Sequence, residues 1–133
     1  MPSRYMLDTD ISSYLIRENP KELMSVFVAH RKDFVCISSI TYAELKYGLL
    51  NHHTERLEKK IDQFVSLVQI VDWTSLAALK YADVRHHLKK AGTLIGNMDM
   101  LIAASAMSLD AELATNNKKH FSLIPNLKIA DWI

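Results

Sequence analysis

Five short apolar runs, RYML, FVCIS, LVQIVDW, AELAT and LKIADW, punctuate the chain, with helix-length segments between them. That alternation narrows the choice of folds more than any other feature. A strand that reaches its neighbour through a helix returns in the same direction, so the runs predict a largely parallel sheet with helices on both faces. Sheets of this kind gather function at the carboxyl ends of their strands.

Helix signals fill the gaps. Pro20 is placed to begin the helix PKELMSVFVAHR, where a missing amide is harmless. Ser38 or Ser39 can cap SSITYAELKYGLLNH, and Thr74 or Ser75 can cap TSLAALKYADVRHHLKK, which stops at Ala91 and Gly92. The 133 residues hold three glycines, three prolines and no repeat or linker, which predicts one compact domain spanning 1–133. No apolar stretch approaches the roughly 20 residues of a bilayer span. MPSRYMLDTD has neither the apolar core nor the cleavage site of a leader, so a cytoplasmic protein without membrane attachment is expected. Cys36 is the single cysteine and lies inside an apolar run, where it reads as a small core side chain in a reducing compartment.

Sixteen Lys and Arg nearly cancel fifteen Asp and Glu, for a formal charge of +1. Global charge therefore predicts no nucleic-acid partner. Basic clusters remain in HHTERLEKK and RHHLKK, each of which also reads as an ordinary solvated helix face.

Three acids stand in apolar company. Asp8 falls at the carboxyl end of the first strand, and Asp10 two residues on reads as the N-cap of the next helix. Asp8 itself is harder to explain as a cap. Within ISSITYAELKYGLL, helical spacing puts Glu44 beside Ile40, Tyr47 and Gly48, residues that suit burial, and a buried carboxylate needs a partner. Gly48 one turn away leaves room for a ligand. In GNMDMLIAASAMSL, Asn97 reads as an N-cap and Asp99 as a first-turn acid, at the rim of a small apolar strip through Ile102, Ala103 and Ala106.

Carboxylates at a strand end, on a buried helix face and at a helix start can converge at one sheet edge. Hard oxygen donors without Cys or His suit Mg²⁺ or Mn²⁺ rather than zinc. The pairs His52–His53 and His86–His87 lack zinc-site spacing and read as exposed, beside Arg56, Lys59, Lys60, Arg85, Lys89 and Lys90. No serine has a nucleophile-elbow context, and Gly92 and Gly96 form no phosphate-cradling loop.

At these residues the chain resembles the PIN-domain ribonucleases, specifically the VapC toxins of type II toxin–antitoxin modules. The resemblance runs through YMLDTDIS, ISSITYAELKYG, KKAGTLIGNMDMLIAASAMSLDAELATNN and LKIADW. It implies an α/β three-layer sandwich, with a central five-stranded, mostly parallel sheet in the order 3-2-1-4-5 flanked by helices. In that family the matching acids are metal ligands, which carries the role to Asp8, Glu44 and Asp99. Thr9 matches the small hydroxyl residue after the first aspartate, and Asp10 stands where asparagine is common. The resemblance further implies Mg²⁺- or Mn²⁺-dependent endonucleolytic hydrolysis of RNA leaving a 5′ phosphate, a homodimer, and a VapB-type antitoxin whose disordered tail folds across the cleft. The implied substrate is single-stranded or loop RNA, such as the anticodon loop of initiator tRNA.

Asp10 is a departure from the family pattern, and two further positions depart from it. Asn117 stands where many PIN domains carry a fourth acid, and His120 where relatives often have Asp or Glu. Thr115 and Asn117 can hold waters of one ion, which predicts one firmly bound metal and any second bound weakly or only with RNA. Lys46, Arg85 and Lys89 are the expected RNA contacts, and VSLVQIV and the helices near 20–30 and 54–68 are candidates for a dimer surface. Two other readings stand beside this one. A haloacid-dehalogenase-type phosphatase also carries Asp-x-Asp after a strand, although its Gly-Thr turn and late acidic pair are missing here. A non-catalytic PIN-like module would bind RNA or protein through a metal site decayed at Asn117 and His120.

Overall fold

The computed structural model describes residues 3–133; Met1 and Pro2, part of the stretch read above for a leader, lie outside them. Strands and helices alternate along the chain. β1 (Arg4–Leu7) leads into α1 (Thr9–Arg17) and α2 (Lys21–Ala29), then β2 (Phe34–Ser38), α3 (Ser39–Asn51) and α4 (Glu55–Leu67). β3 (Gln69–Val71), α5 (Ser75–Lys90), α6 (Asn97–Ser108), β4 (Glu112–Ala114), α7 (Lys118–Phe121) and β5 (Ile129–Ala130) complete it. The strands form one sheet in the order β3-β2-β1-β4-β5, every neighbouring pair parallel.

Period-two alternation explains why the strand sequences are apolar throughout. Leu7, Val35, Ile37, Ala114 and Ala130 join a core with Ile11 and Leu15 of α1, Leu23 of α2, Leu45 and Leu49 of α3, and Ile61 and Phe64 of α4. Met6, Cys36 and Leu113 point the other way, onto Val84 and Leu88 of α5 and Met100, Ile102, Ala103 and Ala106 of α6. Both faces are therefore covered, which is the three-layer arrangement. Cys36 is fully buried, and burial pushes its thiol up to about 12, so it is an inert core side chain as expected.

Several boundaries differ from the sequence reading, each for a local reason. β3 is shorter than LVQIVDW because Leu67 closes α4, while the Trp73 indole N–H leaves the sheet to donate to the Leu101 carbonyl at 2.9 Å. The last strand of LKIADW reduces to Ile129–Ala130, with Trp132 turned inward to stack on His30 at 4.8 Å between ring centroids. Pro20 sits one residue before α2 rather than in its first turn. Ser38 and Thr74 are the caps of their helices, through side-chain oxygens that accept from the Ile40 and Ala77 amides. Asn97 is not a cap: Gly96 holds that position, its carbonyl accepting from the Met100 amide, and Asn97 is the first helical residue.

Of the apolar sides of α2 and α4 named for a dimer surface, Leu23, Ile61 and Phe64 are buried inside the molecule, while Val28 and Leu67 remain exposed. Among the described residues no helix is long and apolar enough to cross a membrane.

Candidate active site

β1 ends at Leu7 and α1 begins at Thr9, so no linker separates strand from helix. The one residue between them must be the cap, and that residue is Asp8. The Ile11 amide donates to its Oδ1 at 2.8 Å. The expectation that Asp10 caps this helix is thus corrected: Asp10 is an exposed first-turn acid. Capping does not exhaust Asp8. Its side chain is almost wholly buried, and parallel pairing of Leu7 with Ala114 brings it beside Thr115, which follows β4 and is itself buried.

Burial pushes the Asp8 carboxyl up to about 6. Hydrogen bonds from the Thr115 hydroxyl and the Ile11 amide oppose that rise, while the charges of Asp10 and Asp99 add to it. Asp99, in the first turn of α6, is half-buried and also raised, first by burial and then by Asp10 and Glu44, with His120 acting in the opposite direction. Asp8, Asp10, Glu44 and Asp99 therefore stand in one negative field at the carboxyl ends of the strands.

Glu44 is not where its helical neighbours implied. The row of α3 that packs on the sheet is Thr41, Leu45 and Leu49, whereas Tyr47 is 66% exposed and Gly48 faces open space. Glu44 lies at the margin between the buried and open faces, held by the Thr9 hydroxyl, which donates to its Oε1 at 2.6 Å. Thr9 Oγ1 also meets Thr41 Oγ1 at 3.2 Å. At Gly48 a Cβ would meet nothing within 4 Å, so the open space there does not depend on the glycine.

After β4, Thr115 Oγ1 accepts from the Asn117 amide at 2.9 Å, which folds the Thr115–Asn117 turn over Asp8. The Asn117 side-chain amide lies 3.0 Å from His120 Nδ1. These two departures from the family pattern are thus partners of each other.

A buried Asp8 and a half-buried Asp99, each raised by burial and by neighbouring acids, match the demand of a hard divalent cation, whose charge would remove the repulsion. Among the described residues no three His, Cys, Asp or Glu side chains form a closed ligand cage. The donor set fits an ion that takes one or two carboxylates and keeps several waters, which is the habit of Mg²⁺.

The Lys46 ammonium sits 5.7 Å from the Tyr42 ring centroid, the Arg85 guanidinium donates to the Tyr81 hydroxyl at 2.9 Å, and Lys89 is exposed in the last turn of α5. His52, His53, His86 and His87 are exposed, as their sequence context suggested. The residue that sequence reasoning missed is Thr41; its signal was a hydroxyl one helical turn before Glu44. A hollow of about 370 Å³ among Phe27, Val28, Phe34 and Leu67 lies at the start of β2, the opposite end of the strand from the site acids.

A family model for the PIN domain matches residues 5–127. The Rickettsia felis protein named ribonuclease VapC2 is 38% identical over 130 residues, covering 96% of this chain and 97% of its own. A Salmonella typhimurium tRNA(fMet)-specific endonuclease VapC is 33% identical, covering 97% and 98%. The crystal structure of VapBC2 from Rickettsia felis, bound to a DNA fragment from their promoter, superposes with a TM-score of 0.92 at 37% identity over 98% of this chain and 99% of that one. DNA-bound VapBC from Salmonella typhimurium superposes with a TM-score of 0.88 at 32% identity over the full length of both.

Proposed function

The chain belongs to the PIN-domain family, and on that premise we propose that it is the VapC-type toxin of a type II toxin–antitoxin module, an endoribonuclease restrained by a VapB-type antitoxin. Membership removes the phosphatase reading. Relatives named as ribonucleases support the activity, the relative named for tRNA(fMet) supports a tRNA substrate, and the VapBC complexes support the partner. The substrate class is single-stranded or loop RNA, with the anticodon loop of initiator tRNA the first candidate, since loops present unstacked bases and an accessible backbone. The PIN domain spans residues 5–127, and on this reading the protein acts as a homodimer in the cytoplasm.

Asp8, Glu44 and Asp99 would hold Mg²⁺ or Mn²⁺, one or two of them directly and the rest through its waters. The ion supplies a lower pKa for the attacking water and a positive charge for the phosphate oxygens. Water oxygen bonds to phosphorus as the bond to the ribose 3′ oxygen breaks, leaving a 5′ phosphate and a 3′ hydroxyl. This chain's residues prepare the setting. Thr115 holds Asp8 by hydrogen bond, Thr9 holds Glu44, and Asn117 can orient a water of the ion. Asn117 and His120 in place of acids make one ion firm and a second weak or dependent on RNA.

The observation that carries this reading is Asp8, a buried strand-end carboxylate in the field of Asp10 and Asp99. The test is cleavage of total cellular RNA by the antitoxin-free protein with Mg²⁺, Mn²⁺ or EDTA, beside Asp8→Asn and Asp99→Asn. Discrete products that disappear with chelator and in both variants are the expected result. Chelator-insensitive RNA binding without cleavage would instead favour the non-catalytic module, for which the tie between Asn117 and His120 is the structural argument.

A further inference from the structure

We propose that Thr41 is a positioning residue for Glu44, acting through Thr9 as a relay of two hydroxyls; this rests on the reading that Glu44 holds a divalent cation. The three side chains come from two helices. Thr9 opens α1 directly behind Asp8, and Thr41 lies in the first turns of α3, one turn before Glu44. Their contacts join the starts of both helices, and so set the two acids relative to each other.

The direction of the relay follows from the inventory of protons. An ionised Glu44 can only accept, so the single hydroxyl proton of Thr9 goes to Glu44 Oε1 at 2.6 Å. Thr9 Oγ1 is then an acceptor toward Thr41 Oγ1 at 3.2 Å, and Thr41 must be the donor. Thr41 is fully buried and cannot give that proton to bulk water. Both threonines are β-branched, with few χ1 choices, so the hydroxyls are aimed by stiff side chains. Each bond polarises the next, and the short link to the carboxylate is charge-assisted.

The chain needs such a device because Glu44 is otherwise loosely held. Among the described residues its oxygens bond no other protein group, it stands at the open margin of α3, and a glutamate has three freely rotating bonds to immobilise. Asp8, by contrast, is locked by its cap and by Thr115. With Oε1 tied to Thr9, Oε2 is the oxygen left for the cation.

The test is Mn²⁺ titration of the full-length, antitoxin-free protein, followed by electron paramagnetic resonance, with melting temperatures and RNA cleavage recorded alongside. Thr41→Val, nearly the same shape, should weaken Mn²⁺ binding about tenfold, at the lower end of losses from residues that orient metal ligands. Thr41→Ser should restore it. Thr9→Val should weaken binding at least as much, and Thr9→Val combined with Thr41→Val should be no worse than Thr9→Val alone, because one relay is broken only once. Cleavage should lose kcat with KM for RNA unchanged.

Wild-type Mn²⁺ affinity in Thr41→Val, with only the melting temperature lowered, would overturn the proposal and leave Thr41 as packing between α1 and α3. Additive losses in the double variant would overturn it equally. A wild-type chain that binds no Mn²⁺ removes the metal reading and the relay together. Mn²⁺ binding that depends on Thr41 without any RNA cleavage leaves the relay standing and removes the ribonuclease reading.

Discussion

Asp8 carries two duties that pull against each other. As a cap it completes α1, and as a buried charge it strains the fold, because its folded carboxyl titrates near 6 rather than 3.8. Between those values the metal-free folded state binds the extra proton. The contribution of Asp8 to stability is therefore full at low pH and is lost as pH rises through about 6, by about 3 kcal/mol in total. Asp8→Asn keeps an acceptor for the Ile11 amide but drops the charge. In EDTA it should resist urea better than the wild type at pH 8 and match it near pH 4, although it no longer cleaves RNA. Divalent metal acts on the same group with the opposite sign. Mg²⁺ should raise the wild-type melting temperature at pH 8, do little at pH 5, and do little at either pH in Asp8→Asn, as thermal scans would show.

At the scale of elements, the site depends on how closely α6 approaches the sheet. Ala103 and Ala106 are fully buried, with Ile102 beside them, and this small-residue strip lets the helix lie low enough to bring Asp99 into the field of Asp10 and Glu44. Ala103→Leu adds three carbons where there is no space. It should cost about 1–3 kcal/mol in urea unfolding and should also reduce cleavage, because Asp99 rides on the displaced helix. The strip was legible from composition, since alternating small and apolar residues at helical spacing predict close packing. The buried row of α3 was less so: Leu45 and Leu49 compete with Ile40, Tyr47 and Leu50 for the sheet, and spacing alone does not rank the two faces.

For the whole molecule, a formal charge of +1 leaves RNA binding to local patches. Arg85→Gln and Lys89→Gln should each weaken RNA binding and flatten its dependence on salt, measured with the cleavage-inactive Asp8→Asn background, while metal affinity in the wild-type background is unaffected. The parallel sheet and the three acids were readable along the chain, because side-chain periods of two and 3.6 residues and short connections are local properties, whereas the order of strands came only with the family resemblance. What the chain could not reveal by itself was which aspartate caps α1, how deeply Asp8 is buried, and that Thr41 stands behind Thr9. These depend on register and packing between segments far apart in the sequence: Leu7 beside Ala114 sets Asp8 against Thr115, and α1 against α3 sets Thr9 between Thr41 and Glu44. Local pattern determined the elements and nominated the acids; desolvation, charge coupling and hydrogen-bond partners arise only when the tertiary fold brings distant residues together, and they decided what each acid does.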